Sequence, residues 1–221
     1  MILLTGITGN NGGATANALL KRGVKFRALV RDLEKAKPWA DQGVELVQGD
    51  LNDPASVAAA LEGCDKVVLI LPNGEHQQRL ELSFIETAKK SGIQHFIKLS
   101  SPEAIPGTKS PIPLAHIAAE DAIKASGMNW TLVRPSFFMQ NLTGYAHAAK
   151  ESGKLSMPMG SIGNVALTDC ADAGDFIAMV LTTGPEEHFG KTYDITGPDP
   201  VMDFNDIATV MGEVLGREVV Y

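Results

Sequence analysis

ILLTGITGNNGG, residues 2–13, is the stretch that decides the fold. A short strand candidate runs into Gly6, Gly9 and Gly12, and a helix-forming segment follows. At such a turn the backbone passes within contact distance of a pyrophosphate, and a Cβ would obstruct either the turn or the helix packing. The helix amino terminus adds unpaired N–H groups and a partial positive charge. We therefore predict a dinucleotide-binding strand, loop and helix, rather than a glycine-rich turn without a ligand.

The chain beyond this loop alternates β-branched runs with helical segments that end at glycine. The predicted strands are 2–5, 24–30, 44–47, 67–71, 95–99 and 131–134. The predicted helices between them are 14–22, 33–41 with a break near Pro38, one that begins at Asp53-Pro54, 77–91 and 114–126. This alternation indicates parallel strands with helices on both faces. We predict an α/β fold, a Rossmann-type doubly wound parallel sheet.

The pattern is looser after Pro135. It predicts helices at 141–151, 169–181 and 203–215, and strands at 191–195 and 217–221. We expect residues 1–135 to form an NAD(P)-binding Rossmann core. Residues 136–221 are expected to form a small substrate-side lobe that is interleaved with the core in one structural unit. Whether this lobe is naturally short or truncated at Tyr221 is left open.

Composition and charge exclude several classes of protein. Hydrophobic residues make up 44% of the 221 residues and charged residues 20%, and no apolar run has the length that crosses a bilayer. Met1 leads directly into the first strand without a leader, so we expect a cytoplasmic protein with no membrane partner. The net charge of -7 argues against nucleic-acid binding. Cys64 and Cys170 are too few for a disulfide framework or a zinc site, and the histidines show no ligand spacing, so no metal is expected.

The end of the second strand distinguishes the two nicotinamide cofactors. ALVRD, residues 28–32, places Arg31 where a basic residue would meet a 2′-phosphate, so NADP(H) is preferred over NAD(H). The adjacent Asp32 weakens this interpretation, and a solvated Arg31 is the alternative. Asp50 is expected near an adenine amine, with a solvated aspartate as the alternative. The remaining residues predicted to bind the cofactor in this half of the chain are Thr8, Asn10, Asn11, Leu71, Pro72 and Asn73.

Three further motifs complete a resemblance to a known family. IKLSS at 97–101, PLAHIAAEDAIKASG at 113–127 and NWTLVRPSFFMQN at 129–141 join the glycine loop and Arg31. Together they resemble the NmrA-like family of atypical short-chain dehydrogenases/reductases over nearly the whole chain. That family includes quinone and dye reductases, as well as redox-sensing regulators. The resemblance implies that the nicotinamide half of the cofactor is lined by Lys98, Ser100, Pro135, Ser136 and Phe137.

The helix predicted at 114–126 lacks the tyrosine and lysine that ordinary members of the superfamily use. His116 and Glu120 lie four residues apart on one face, with Lys124 a turn further on. We expect the Glu120 carboxylate to raise the pKa of His116, which makes this catalytic pair suitable for donating a proton near neutrality. A hydrogen-bonded structural histidine is the alternative.

A site with weak acid catalysis suits an acceptor whose reduced form is delocalised. We therefore predict an NADPH-dependent reductase that transfers a hydride to a quinone or a similar conjugated small molecule. A non-catalytic NADP(H)-binding redox sensor that acts through a protein partner is the alternative, and an electron-transfer or assembly factor ranks third. The oligomeric state is left open, with a homodimer as one alternative.

Overall fold

The computed structural model describes residues 1–157, 163–198 and 201–221. The first part of the chain forms β1 (Ile2–Thr5), α1 (Asn10–Lys21), β2 (Phe26–Val30), α2 (Leu33–Ala40), β3 (Glu45–Gln48), α3 (Pro54–Leu61), β4 (Lys66–Leu69), α4 (Gln77–Lys90), β5 (His95–Leu99), α5 (Pro111–Ala125) and β6 (Asn129–Pro135). The second part forms β7 (Phe137–Phe138), α6 (Gln140–Ser152), β8 (Leu167–Thr168), α7 (Cys170–Thr182), a 3₁₀ helix (Pro185–His188), β9 (Lys191–Ile195) and α8 (Phe204–Leu215).

Seven strands form one parallel sheet in the order β3-β2-β1-β4-β5-β6-β9. The strand order reverses between β1 and β4, where Leu4 pairs with Val68. In open sheets of this kind, ligands bind outside the carboxyl ends of the strands at the point of reversal. The prediction of a Rossmann-type doubly wound sheet is confirmed, and the topology places the crevice directly above the glycine loop.

Apolar layers cover both faces of the sheet. On one face, buried residues such as Leu19 of α1 and Ile177 of α7 pack against the strands. On the other face, Phe84 of α4 and Ile123 of α5 belong to a second buried cluster. Burying each such side chain contributes about 1.5–3 kcal/mol. The sheet is therefore held rigidly beneath the loops that follow its strands.

The second part of the chain returns to the core. Strand β9 extends the sheet beside β6, and α7 packs against α1 so closely that a Cβ on Gly174 would lie 2.6 Å from the carbonyl carbon of Ala14. Around Phe204, residues of α6 and α8 form a third buried cluster outside the sheet. The described helices do not include one with both the length and the apolar character that crossing a membrane requires.

Several boundaries differ from those predicted. Helix α1 begins at Asn10, four residues before the predicted start. Gly12 therefore lies inside its first turn, where a side chain would collide with the loop. Helix α2 continues through Pro38, which removes only one N–H donor near the end of a short helix. Residues 217–221 were predicted as a strand, but they make only an isolated bridge between Lys154 and Val220. This segment packs on the third cluster instead, with the ring of Tyr221 stacked on Phe204.

Candidate functional site

A cleft of about 620 Å³ lies at the carboxyl ends of β1, β2 and β4. All of the cofactor-binding residues predicted between Gly6 and Asn73 line it. The complete lining consists of Thr5, Gly6, Ile7, Thr8, Gly9, Asn10, Asn11, Gly12, Leu29, Val30, Arg31, Lys35, Gly49, Asp50, Leu51, Asn52, Ile70, Leu71, Pro72, Asn73, Gly74, Glu75, His76, Gln77 and Leu80.

The glycines of the loop differ in what surrounds them. Gly6 has a φ of +72°, and a Cβ there would lie 2.7 Å from the carbonyl oxygen of Ile70. A Cβ on Gly12 would lie 2.1 Å from the carbonyl oxygen of Gly6, so the fold itself requires both glycines. Gly9 is different, because its φ is -102° and its Cβ would meet only the Gly6 oxygen at 3.5 Å. The protein alone would accept a side chain at Gly9.

Helix α1 presents a bare amino terminus to the cleft. Gly9 is its N-cap and supplies no side-chain hydrogen bond, and the first turn contains no acidic residue. The N–H groups of such a turn have no partners within the helix, and the helix dipole favours a negative charge beside them. These features together suit a diphosphate group.

Two cations lie at the far corner of the cleft. Arg31 is exposed and lines the cleft, and within the described ranges its guanidinium donates no hydrogen bond. Lys35, in the first turn of α2, lines the same corner. Asp32 does not oppose them directly, because its carboxylate caps α2 by accepting a hydrogen bond from the Lys35 N–H at 3.1 Å. Sequence reasoning missed Lys35, although its position four residues beyond Arg31 was a usable signal.

Asp50 lines the cleft next to Asn52. Its carboxylate accepts hydrogen bonds from the Asn52 backbone N–H at 2.8 Å and from Asn52 Nδ2 at 2.9 Å. These hydrogen bonds hold the pKa of Asp50 below its ordinary value, with a smaller contribution from the charge of Arg31. Asp50 is therefore an anion that is already partly satisfied by the loop, and its predicted contact with adenine stays a prediction.

Below the cleft, five side chains form the Lys98–Asn73 chain of hydrogen bonds. Lys98 Nζ donates to Glu81 Oε1 at 2.5 Å, and Gln77 Nε2 lies 3.4 Å from the same oxygen. Gln77 Nε2 also lies 3.5 Å from Nδ1 and 3.2 Å from Nε2 of His116. The His116 Nε2 is 3.3 Å from Asn73 Oδ1. The chain runs from a fully buried lysine to Asn73 at the cleft.

Glu120 belongs to a second buried cluster. Its carboxylate accepts hydrogen bonds from Ser100 Oγ at 2.7 Å, from Arg134 Nε at 2.8 Å and from Lys124 Nζ at 3.2 Å. Burial would raise the pKa of Glu120, but the hydrogen bonds from Arg134 and Ser100 outweigh this effect and hold the pKa below its ordinary value. The ionised carboxylate of Glu120, on α5, therefore links Ser100, which follows β5, to Arg134 on β6.

The expected pairing of His116 with Glu120 was wrong. The two side chains lie on the same helix, but each has other partners. The charge of Glu120 does raise the pKa of His116 as expected, but burial and the charge of Lys98 outweigh it and lower the pKa to about 3, so the expectation of a proton donor near neutrality was wrong. Sequence spacing could not show that Arg134, which lies on β6, would form hydrogen bonds with the Glu120 carboxylate.

The residues expected around the nicotinamide do not line the cleft. Lys98 is fully buried, and Ser100 donates to Glu120. Pro135 is buried at the end of β6. Ser136 Oγ lies 2.6 Å from Thr168 Oγ1, and the ring of Phe137 packs edge-on against Phe204 with 6.2 Å between centroids. Their assignment to the nicotinamide half stays a prediction.

Neither cysteine is suited to redox chemistry. Both are buried, and burial raises the pKa of Cys170 to about 11 and also raises that of Cys64. In the ranges that the structure describes, no three His, Cys, Asp or Glu side chains are placed to share a metal ion.

Comparison with known proteins agrees with this geometry. The model of the NmrA-like family matches residues 1–221, so the chain belongs to the NmrA-like family. It is 35% identical to an NAD(P)H azoreductase of Xenophilus azovorans, and the match covers 100% of this chain and 76% of the relative. It is 31% identical to quinone oxidoreductase 2 of Escherichia coli strain K12, with 100% and 77% covered.

Solved structures give a consistent result. The NADPH complex of the Escherichia coli NADPH-dependent quinone oxidoreductase has a TM-score of 0.89 at 28% identity, and the match covers 100% of this chain and 77% of that one. The Citrobacter sp. triphenylmethane reductase complexed with NADP(H) has a TM-score of 0.86 at 30% identity, with 99% and 77% covered. The prediction of an oxidoreductase is confirmed at this level, since the curated relatives are named as reductases and oxidoreductases.

Proposed function

We propose that the protein is an NADPH-dependent reductase that delivers a hydride to a quinone or a similar conjugated acceptor. The observation that carries this proposal is the glycine-lined cleft at the strand reversal, with a bare helix amino terminus at one end and two cations at the other. Relatives named for the reduction of azo compounds, quinones and triphenylmethane dyes support the acceptor class. All three kinds of acceptor are extended conjugated systems.

The cleft residues fit a dinucleotide. Gly9 carries no side chain, although the protein alone would accept one there without strain. A close approach of diphosphate oxygens requires this absence of a side chain. The N–H groups of Asn10 and Asn11 begin helix α1 beside it. When bound, a nicotinamide cofactor supplies the hydride. The role of the chain is to bind, to orient and to exclude water.

We assign the NADPH preference to Arg31 and Lys35. A 2′-phosphate between them would receive charge-assisted hydrogen bonds from a planar guanidinium and an ammonium group. Asp32, which would repel that phosphate, has its carboxylate bonded to the backbone of α2. This arrangement supports a preference for NADPH over NADH.

The surroundings of His116 favour a conjugated acceptor over a simple ketone. With a pKa of about 3 the imidazole is neutral at physiological pH, so it is a poor acid. Reduction of a simple ketone would leave an alkoxide that needs an acid, whereas a reduced quinone delocalises its charge. We propose that the acceptor binds on the side of residues 136–221, where Ser136 and Phe137 follow β6.

The proposal is tested by measuring NADPH oxidation with a panel of benzoquinones, an azo dye and a triphenylmethane dye, with simple ketones as controls. We expect turnover with one or more conjugated acceptors and none with the ketones. Tight NADPH binding without turnover of any acceptor would refute the reductase and favour the redox-sensing alternative. The absence of NADPH binding would refute both.

A further inference from the structure

Helix α5 has one apolar side chain that its own packing leaves partly uncovered. Residues three and four apart share a face of a helix, and the face that carries His116, Glu120 and Ile123 is buried against the sheet and α4. Ile112 lies on the same face, four residues before His116, and yet it is 41% exposed. Leu114, which is 44% exposed, lies on the opposite face, where exposure is expected. Ile112 is therefore an uncovered residue at the end of a core-facing stripe.

The uncovered end of this stripe lies beside the cleft. Helix α5 begins at the carboxyl edge of the sheet, since it follows β5 and leads back to the parallel strand β6. Side chains of a helix lean toward its amino terminus, so Ile112 points toward that edge. One turn further along, His116 Nε2 lies 3.3 Å from Oδ1 of Asn73, which lines the cleft. Residues four apart on a helix have Cβ atoms about 5–6 Å apart, which places Ile112 next to the Asn73 end of the cleft.

Asn73 marks one end of the cleft, and Arg31 marks the other. The strand order β2-β1-β4-β5 places Arg31 after β2, the glycine loop after β1 and Asn73 after β4. With the 2′-phosphate at Arg31 and the diphosphate at the glycine loop, the nicotinamide lies at or beyond Asn73, on the side of β5. A hydride acceptor must contact the nicotinamide ring, because the reacting atoms have to meet. The acceptor therefore comes within reach of Ile112.

The surroundings of Ile112 are apolar and preformed. Residues 104–115 include only one charged residue, Lys109. Pro111 and Pro113 flank Ile112, and their rings restrict the backbone on both sides, so little backbone entropy is lost when a ligand binds there. Such a surface suits the flat apolar face of a conjugated ring and offers no hydrogen bond to a small polar carbonyl compound.

We infer that Ile112 forms one wall of the acceptor site and contacts the apolar face of a fused or extended conjugated ring system. Ile112 then selects acceptors by their apolar area and takes no part in the transfer of a proton or a hydride. This inference rests on the proposed function, because it needs a nicotinamide bound beside Asn73. A second copy of this chain is the competing occupant of the same surface, and the experiments separate the two.

The first experiment detects contact without turnover. 1,4-Naphthoquinone is titrated into the protein saturated with NADP⁺, and the carbon-13-labelled methyl groups of isoleucine are followed by NMR, with Ile112 assigned from Ile112→Val. We expect the Ile112 signal to shift with the quinone, whereas the signal of Ile85, which is buried on α4, stays in place. An unmoved Ile112 signal would overturn the inference, whether or not the protein oxidises NADPH.

The second experiment compares two substitutions near the start of α5. Ile112→Thr and Leu114→Thr each replace an exposed aliphatic side chain with a polar one, on opposite faces of the helix. Ile112→Thr should raise KM for 1,4-naphthoquinone by about fivefold and KM for the smaller 1,4-benzoquinone by about twofold, with kcat and the dissociation constant for NADPH unchanged. Leu114→Thr should change none of these values, and Ile112→Leu should keep most of the wild-type KM.

Equal effects of Ile112→Thr and Leu114→Thr on KM would overturn the inference while leaving the proposed function standing. Light scattering tests the competing occupant. A dimeric wild type and a monomeric Ile112→Thr, with KM unchanged for both quinones, would assign this surface to a second copy of the chain and overturn the inference. A wild type that binds NADPH but reduces no acceptor would instead refute the proposed reductase, and a shift of the Ile112 signal by naphthoquinone would still support the binding site.

Discussion

Gly9 and Gly12 belong to one motif, but different neighbours exclude a side chain at each. At Gly12 the obstacle is the backbone of Gly6, which belongs to the protein. At Gly9 the protein leaves room for a Cβ. Under the proposed function, it is the bound cofactor that excludes a side chain there. Substitution at the two positions should therefore separate the needs of the fold from those of cofactor binding.

We expect Gly12→Ala to reduce the free energy of unfolding by about 2 kcal/mol or more, because the new methyl group overlaps backbone atoms that cannot move without opening the loop. Gly9→Ala should change that free energy by less than about 0.5 kcal/mol and yet raise the dissociation constant for NADPH at least tenfold. Urea denaturation and calorimetric titration of both variants provide the comparison. Equal loss of stability in both would show that Gly9 has a structural role.

Arg31→Ala tests the cofactor preference. Loss of a guanidinium that binds a phosphate should raise the dissociation constant for NADPH by about ten- to a hundredfold, with the value for NADH changed by about twofold or less. Lys35→Ala should have a smaller effect of the same kind. Lys37→Ala removes an exposed cation from the same helix outside the cleft and is the matched control. Equal effects on the two cofactors would contradict the assignment of this corner to the 2′-phosphate.

At the scale of elements, the sequence predicted the alternating strands and helices and the glycine loop. The hydrophobic periodicity of these elements, and the glycines that end the helices, are local features of the sequence. The short pair β7 and β8 was missed, since two-residue strands show no periodicity. The ion pair of Lys98 with Glu81 was missed for another reason. Glu81 lies on α4, and only the packing of α4 against β5 brings the two together. The site residues of the glycine loop could be predicted, whereas the side-chain pairings across elements could not.

The pair of Lys98 with Glu81 makes a prediction about the packing of α4 on β5. Lys98→Met should cost about 3–5 kcal/mol, because it leaves the Glu81 carboxylate buried without a counter-ion. The double variant Lys98→Met with Glu81→Leu should recover most of that loss. Lys90→Ala breaks an exposed pair with Glu86 on the same helix and should cost less than about 0.5 kcal/mol. Urea denaturation would contradict the prediction if the double variant were no more stable than Lys98→Met.

At the scale of the whole molecule, buried ionisable groups lie at both ends of the parallel sheet. His116 lies near the carboxyl ends of the strands, below the cleft. His95 begins β5 at the opposite end, where its Nε2 lies 2.9 Å from Thr131 Oγ1 and its ring packs edge-on against Phe189. Burial, with a smaller effect from the charge of Lys66, lowers the pKa of His95 to about 4. Both imidazoles are neutral in the folded protein and would take up a proton on unfolding at mildly acidic pH.

The stability of the whole fold should therefore depend on pH in a defined window. The ordinary histidine pKa of 6.5 applies to the unfolded chain, and the folded values are about 4 for His95 and about 3 for His116. Between these limits the unfolded state binds more protons, so stability is lost as pH falls below 6.5. Each histidine should contribute a loss of about 2 kcal/mol between pH 7 and pH 4.5. The lowered pKa values of Asp50 and Glu120 act in a separate window, since their stabilisation is lost only below their ordinary values of 3.8 and 4.5.

Urea denaturation at intervals from pH 7.5 to 4.5 measures this dependence. The wild type should lose about 4 kcal/mol over the range, and His95→Gln should lose about half as much from its own starting value, because one of the two groups that take up a proton is gone. His147→Gln, at an exposed position on α6, is the control and should follow the wild-type curve. A His95→Gln curve parallel to that of the wild type would mean that the pKa of His95 is the same in the folded and unfolded states, which its buried contacts with Thr131 and Phe189 argue against.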